Sequence, residues 1–145
     1  MSKFNGLVAA AALTAASFAT TATAGGHADA AAGEAAFRQC SSCHMIQTAS
    51  GETLAGRGQT GPNLHGVVGR QAGSVDGFRY RKSIVEAGEG GLVWDEASLT
   101  AYLQDPTGFL REATGDNRAR SGMSYRVRSE SDAANLAAYL ATFSE

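Results

Sequence analysis

Cys40-Ser41-Ser42-Cys43-His44 decides how the rest of the chain is to be understood. Two thiols at this spacing, with an imidazole directly behind the second, form the attachment signature of a c-type haem. Each thiol can form a thioether to one vinyl group of a porphyrin, and the imidazole can reach the iron. These two cysteines are the only ones among 145 residues, so the motif uses both. Other chemistries draw on the same residue types. In an oxidising compartment a Cys-x-x-Cys pair can be a redox-active disulfide. A zinc site can also start from such a pair, but no downstream His pair completes the ligand set.

The residues upstream read as an export signal. Lys3 gives the positive start, Leu7 to Ala16 a short apolar run, and Ala22-Thr23-Ala24 a small-x-small cleavage site. The run is too short and too rich in alanine and threonine for a membrane span, and an uncleaved anchor is the alternative. The expected organisation is a signal peptide over 1–24, cleaved after about Ala24, and one domain over 25–145 in the periplasm, where disulfides are permitted. Gly25 to Ala32 is small and polar and is expected to fray. Eighteen glycines and a single tryptophan imply many turns and few large apolar side chains, so the core looks under-supplied for its size. A buried porphyrin would make up that deficit.

From about Gly33 a helix is predicted, with Phe37, Cys40 and His44 on one face. Met45 to Gly58, with three glycines and little apolar periodicity, reads as a loop. Asp95 is a good N-cap for a helix whose stripe is Leu99, Tyr102 and Leu103, ending before Pro106. Ser129 and Asp132 stand at capping-box spacing before Leu136, Leu140 and Phe143.

The combination of Cys-x-x-Cys-His with Gly61-Pro62-Asn63-Leu64-His65-Gly66-Val67-Val68-Gly69-Arg70 resembles class I cytochrome c. The likeness continues through Gly77-Phe78-Arg79-Tyr80, Trp94, Pro106, Ser121-Gly122-Met123-Ser124-Tyr125 and Asn135 to Leu140, and so covers residues 29 to 143. It is nearest the cytochrome c2 group of purple bacteria, which shares the long segment Gly108 to Arg120. The resemblance implies an all-α class I cytochrome c fold. Its N- and C-terminal helices would cross near Gly33 and Phe37, with short helices and loops wrapped around one haem c. Gly33 then permits close approach of two helices, or is only part of a frayed cap.

What the resemblance implies for single residues can be placed along the chain. Cys40 and Cys43 carry the covalent haem. His44 is the proximal iron ligand, and the Pro62 carbonyl accepts a hydrogen bond from its ring. Arg70, Tyr80 and Trp94 donate to the haem propionates, since buried carboxylates require donors. Tyr102 and Ser121 lie near the second ligand; plain core packing also accounts for Trp94 and Tyr102. The second ligand can be narrowed by elimination. Met1 leaves with the signal, Met45 is beside His44 and cannot reach the opposite face, and His27 lies in the terminus. His65 follows the loop that the resemblance puts on the proximal side. Met123 remains, and the family has its ligand there. A His/Met pair saturates the iron and raises the potential, which implies an electron carrier and not an enzyme.

Removing Lys3 takes the formal charge from −2 to −3. Yet Arg118, Arg120, Arg126 and Arg128 bracket Met123, and Arg38 lies just before Cys40, which suggests a basic docking face on an acidic molecule; the alternative is a solvated arginine-rich loop. Nucleic acid is not an expected partner for an exported, net-negative protein. The resemblance implies a monomer touching membrane complexes transiently. It would take electrons from a cytochrome bc1 complex and pass them to a photosynthetic reaction centre or a cytochrome oxidase. A periplasmic thiol–disulfide oxidoreductase using Cys40 and Cys43 is the other class. It calls for an apolar strand just before the motif, where this chain is polar and then helical. The thin core generates a first expectation: without haem the protein is largely unfolded, and circular dichroism of the apo-form at native-like amplitude would contradict it.

Overall fold

The computed structural model describes residues 27–144; the expected signal peptide lies outside them. The described chain forms five helices and one small hairpin: α1 (Ala30–Phe37), β1 (Met45–Gln47), β2 (Thr53–Gly56), α2 (Lys82–Glu89), α3 (Glu96–Gln104), α4 (Pro106–Thr114) and α5 (Glu130–Ala141).

Helix α1 starts earlier than the sequence suggests. The Asp29 carboxylate accepts from the backbone N–H groups of Ala31 at 2.8 Å and Ala32 at 3.2 Å. Asp29 N–H in turn donates to the side-chain oxygen of Asn135 in α5 at 2.7 Å. A capped first turn tied to a distant helix has no reason to fray, so the frayed start expected as far as Ala32 is corrected from Asp29 onward. The helix also ends sooner, at Phe37. The haem motif lies past its C-terminus in successive tight turns, with Cys40 N–H bonded to the Phe37 carbonyl and His44 N–H to that of Cys40. Only Phe37 of the expected Phe37, Cys40, His44 face is therefore helical.

Helices α1 and α5 cross where Gly33 is buried against the Asn135 carbonyl and the Tyr139 side chain; a Cβ at Gly33 would overlap that carbonyl. Phe37 packs on Tyr139 with ring centroids 5.7 Å apart. Ala133, Leu136, Ala137 and Leu140 bury the inner face of α5, whose N-terminus is capped by Ser129 accepting from Asp132 N–H at 3.2 Å. The close-approach role of Gly33 thus prevails over the frayed-cap alternative.

Met45 to Gly58 is not a plain loop. Strands β1 and β2 pair antiparallel with an irregularity between Ile46 and Gln47. Strands of three and four residues with one fully buried side chain, Ile46, leave no alternation to detect. Gln47 is held further by Asn63, whose side-chain oxygen accepts from Gln47 N–H at 3.0 Å while its amide donates to the Gln47 carbonyl at 2.7 Å. One side chain thereby does the work of a third strand.

Helix α3 begins at a capping box of Asp95 and Ser98 and stops before Pro106, which opens α4 at its first turn. Helix α4 occupies the start of the long segment noted in the sequence and ends on Gly115 at φ +69°. Helix α2 carries no sequence cap: Arg81 occupies the N-cap position with no side-chain bond. The core gathers Phe37, Trp94, Leu99, Tyr102, Leu136 and Leu140 around Ile46, Leu110 and Pro106, whose side chains are the largest buried to below 2 % exposure.

Two expectations follow from these contacts. Gly33→Val should cost the holoprotein about 3 kcal/mol or more, because a backbone carbonyl cannot rotate aside; denaturant melts showing an unchanged midpoint would mean the crossing can open. Hydrogen bonds from Ser98, the backbone N–H first and then the hydroxyl, hold the Asp95 carboxyl below its usual 3.8. A depressed carboxyl stabilises above its unfolded pKa and loses that contribution as pH falls through its folded pKa. Asp95→Ala should therefore cost about 1 kcal/mol at pH 7, with the gap to wild type narrowing below about pH 4; a gap independent of pH would refute the charge contribution.

Candidate haem site

His44 is the best-defined residue of the site. Its Nδ1 lies 2.8 Å from the Pro62 carbonyl oxygen. A carbonyl can only accept, so Nδ1 carries the proton and Nε2 keeps its lone pair. Burial pushes the imidazole pKa down, against the opposing effect of the Pro62 bond. Both features suit a neutral nitrogen ligand. Gly61 makes room for the ring, since a Cβ there would overlap three ring atoms. Its N–H is also bonded to the Cys43 carbonyl at 2.7 Å. Gly61 and Asn63 hold the motif loop in place. The sequence shows them only as parts of a pattern, without their contacts.

The two thiols are free and differ in setting. Cys40 is half-buried; burial first, and the neighbouring Cys43 second, push its thiol up to about 11. Cys43 is exposed, and hydrogen bonds from the Thr60 and Ser42 side chains lower it. A thiol oxidoreductase places its reactive thiolate in an exposed, electropositive setting such as a helix N-terminus. Here Cys40 follows a helix C-terminus, and among the described residues the strands come only after the motif.

Arg70 is half-buried, with Nη1 donating to the His65 carbonyl at 2.8 Å and Nη2 to the Asn63 carbonyl at 2.9 Å. Two of its five N–H groups thus brace the loop behind His44, and three remain for an anion. Burial lowers the guanidinium pKa and raises that of the Tyr80 phenol, while the closeness of the two groups opposes both shifts. Trp94 is buried, 5.0 Å from Tyr102 and 5.8 Å from Phe109 between ring centroids. The expected second-ligand group is brought together around Ser121. Its hydroxyl is 2.8 Å from the Tyr102 hydroxyl and accepts from Met123 N–H at 3.0 Å. Met123 is half-buried and packs against the core.

The Met123 segment is held at several points. Arg120 N–H donates to Ser83 at the start of α2 at 3.1 Å, Ser121 N–H to Thr107 of α4 at 3.2 Å, and Val127 N–H to the Leu103 carbonyl of α3 at 2.8 Å. The Tyr125 hydroxyl donates to Gln39, one residue before Cys40, so the Met123 segment reaches the turn that leads into the thiol motif. Of the predicted docking arginines, Arg38, Arg118, Arg120 and Arg128 are exposed. Arg126 is paired with Asp105 at 2.8 Å.

These donors fit a covalent haem. Two unpaired thiols stand at attachment spacing, one imidazole nitrogen is committed and the other free, and a half-buried thioether is held by its neighbours.

No family model matches the chain. Cytochrome c2 of Rhodovulum adriaticum is 56% identical over 115 residues, covering 79% of this chain and 91% of that protein. The crystal structure of cytochrome c2 from Rhodobacter sphaeroides superposes with a TM-score of 0.78 at 49% identity, covering 80% of this chain and 96% of that one. That of ferric cytochrome c-550 from Paracoccus versutus gives 0.76 at 43% identity, covering 81% and 98%.

Proposed function

We propose, from the premise that this chain belongs to the cytochrome c2 family of class I c-type cytochromes, that it shuttles single electrons through a haem held between His44 and Met123. Membership gives it one covalent haem c and supports an electron carrier in place of an enzyme. Among the described residues no helix is long and apolar enough to cross a membrane.

The bound haem supplies a reversible one-electron couple at its iron. The chain's own residues prepare for it. Cys40 and Cys43 provide the two thioether sulfurs. Pro62 fixes the His44 ring so that Nε2 points one way only, and makes that nitrogen a stronger donor. The Met123 sulfur provides the second donor, and Tyr102 and Ser121 hold its backbone in position. Arg70, Tyr80 and Trp94 supply N–H and O–H donors for buried carboxylates. His44 and Met123 would together hold the iron and leave no position for oxygen or peroxide, which suits electron transfer without substrate turnover.

The observation that carries this function is the Pro62 bond, which commits one His44 nitrogen and frees the other. In the cell the protein would be exported by residues 1–24. It would take electrons from a cytochrome bc1 complex and deliver them to a reaction centre or a cytochrome oxidase, docking through the arginines around Met123. Met123→Leu should leave the haem attached while the reduction potential falls by roughly 0.1 V or more, within the range of about 0.8 V over which axial ligands act. The ferric absorption band specific to a thioether ligand should also vanish. A variant with wild-type spectrum and potential would rule out Met123 as the ligand.

A further inference from the structure

Ser121 N–H and Val127 N–H fasten the two ends of the stretch that carries Met123. Between them the backbone is nearly untied. Among the described residues Gly122 to Arg126 make no backbone–backbone hydrogen bond; Met123 N–H reaches only the nearby Ser121 hydroxyl, at 3.0 Å. Two side chains cross from this span to the rest of the fold. Arg126 pairs with Asp105 at 2.8 Å, but both side chains are at least half exposed, where such a pair contributes little. The Tyr125 hydroxyl donates to the side-chain oxygen of Gln39, 86 positions away. Gln39 is itself anchored. Its N–H is bonded to the Ala36 carbonyl at 3.1 Å, and the Cys40 N–H that follows is bonded to Phe37 at 2.8 Å. Ser124, Tyr125 and Arg126 border an open concavity of about 790 Å³, which leaves room for the span to move.

Resting on the His44 and Met123 pair proposed above, we infer that Tyr125 and Gln39 are positioning residues: their hydrogen bond clasps the Met123 span to the chain just before Cys40 and so opposes departure of the Met123 sulfur from the iron. The clasp lies two residues past Met123, within the untied stretch. A thioether is a weak donor, so its hold depends on how often the span opens. The other ties of the segment run to α2, α3 and α4. The clasp alone runs to the chain that would carry the haem, and it holds ligand and ring to one frame. It joins two uncharged groups. Salt therefore leaves it intact, whereas the exposed Arg126 pair is screened.

The test uses the ferric holoprotein and imidazole, which can reach the iron only while Met123 is displaced. Tyr125→Phe removes the hydroxyl and Gln39→Leu the acceptor. Each should raise the second-order rate of imidazole binding about fivefold, the size expected for one neutral hydrogen bond, at low and high salt alike. The double variant should bind no faster than either single one, because both remove the same bond. Gln39→Glu keeps an acceptor and should bind no faster than wild type. Asp95→Ala weakens a helix cap elsewhere and should leave the rate unchanged, since the span opens locally. Single variants with the wild-type rate overturn the clasp and leave Met123 ligation standing. Effects that multiply in the double variant overturn it, as does an equal acceleration by Asp95→Ala, which would trace the effect to general destabilisation. A wild-type ferric protein that lacks the thioether band and binds imidazole without delay overturns the His44 and Met123 reading, and the clasp with it.

Discussion

A metal-binding imidazole must offer one nitrogen and hide the other, and the 2.8 Å contact between His44 Nδ1 and the Pro62 carbonyl does both. Much of the proximal half of the molecule serves that contact. Gly61 has no side chain because the ring fills its space. Asn63 ties the next turn to β1 through two hydrogen bonds, and Arg70 pulls on the carbonyls of Asn63 and His65. A carbonyl can orient a ring only if its own peptide cannot turn. The loop is therefore built from short-range bonds to fixed backbone and needs little hydrophobic packing.

The core follows the same economy. Alanine and glycine line the α1–α5 crossing, and the aromatic cluster of Trp94, Tyr102 and Phe109 forms one wall. Few large aliphatic side chains are fully buried. At roughly 25 cal/mol per Å² of buried apolar surface, a porphyrin packed against such walls contributes like several core residues at once. On the expectation that the apo-form is largely unfolded, cofactor binding and folding would be one event for this chain, made permanent by covalent attachment.

The parts legible in the sequence are those where one residue type has one physical use. Asp95 and Ser129 marked the starts of α3 and α5 because a capping oxygen has few other roles. Cys40, Cys43 and His44 marked the haem motif because their spacing suits one ring. The hairpin was hidden because its strands bury a single side chain, Ile46. Helix α2 was hidden because Arg81 caps it without a side-chain bond. The extent of α1 was misjudged because its anchor, Asn135, lies 106 positions away from Asp29. The bonds from Arg70 to loop carbonyls could not be foreseen either; sequence shows a charge, not which of its five donors are spent.

The two segments proposed to bear the iron ligands are built on opposite principles. His44 sits between backbone groups on its own stretch of chain, where little can move. Met123 hangs on a segment tied to α2 through Ser83, to α3 through Leu103 and Tyr102, to α4 through Thr107, and to the turn before the thiol motif through Gln39. Asp105 takes part in that support twice over, since one of its oxygens caps α4 at Gly108 and accepts Arg126. Each tie is a single hydrogen bond or an exposed ion pair, of the order of 1 kcal/mol or less in isolation. A thioether is also a weaker donor than imidazole. The Met123 side is therefore held by the sum of many separable contacts, and a ligand dissociating from this centre would leave from that side first.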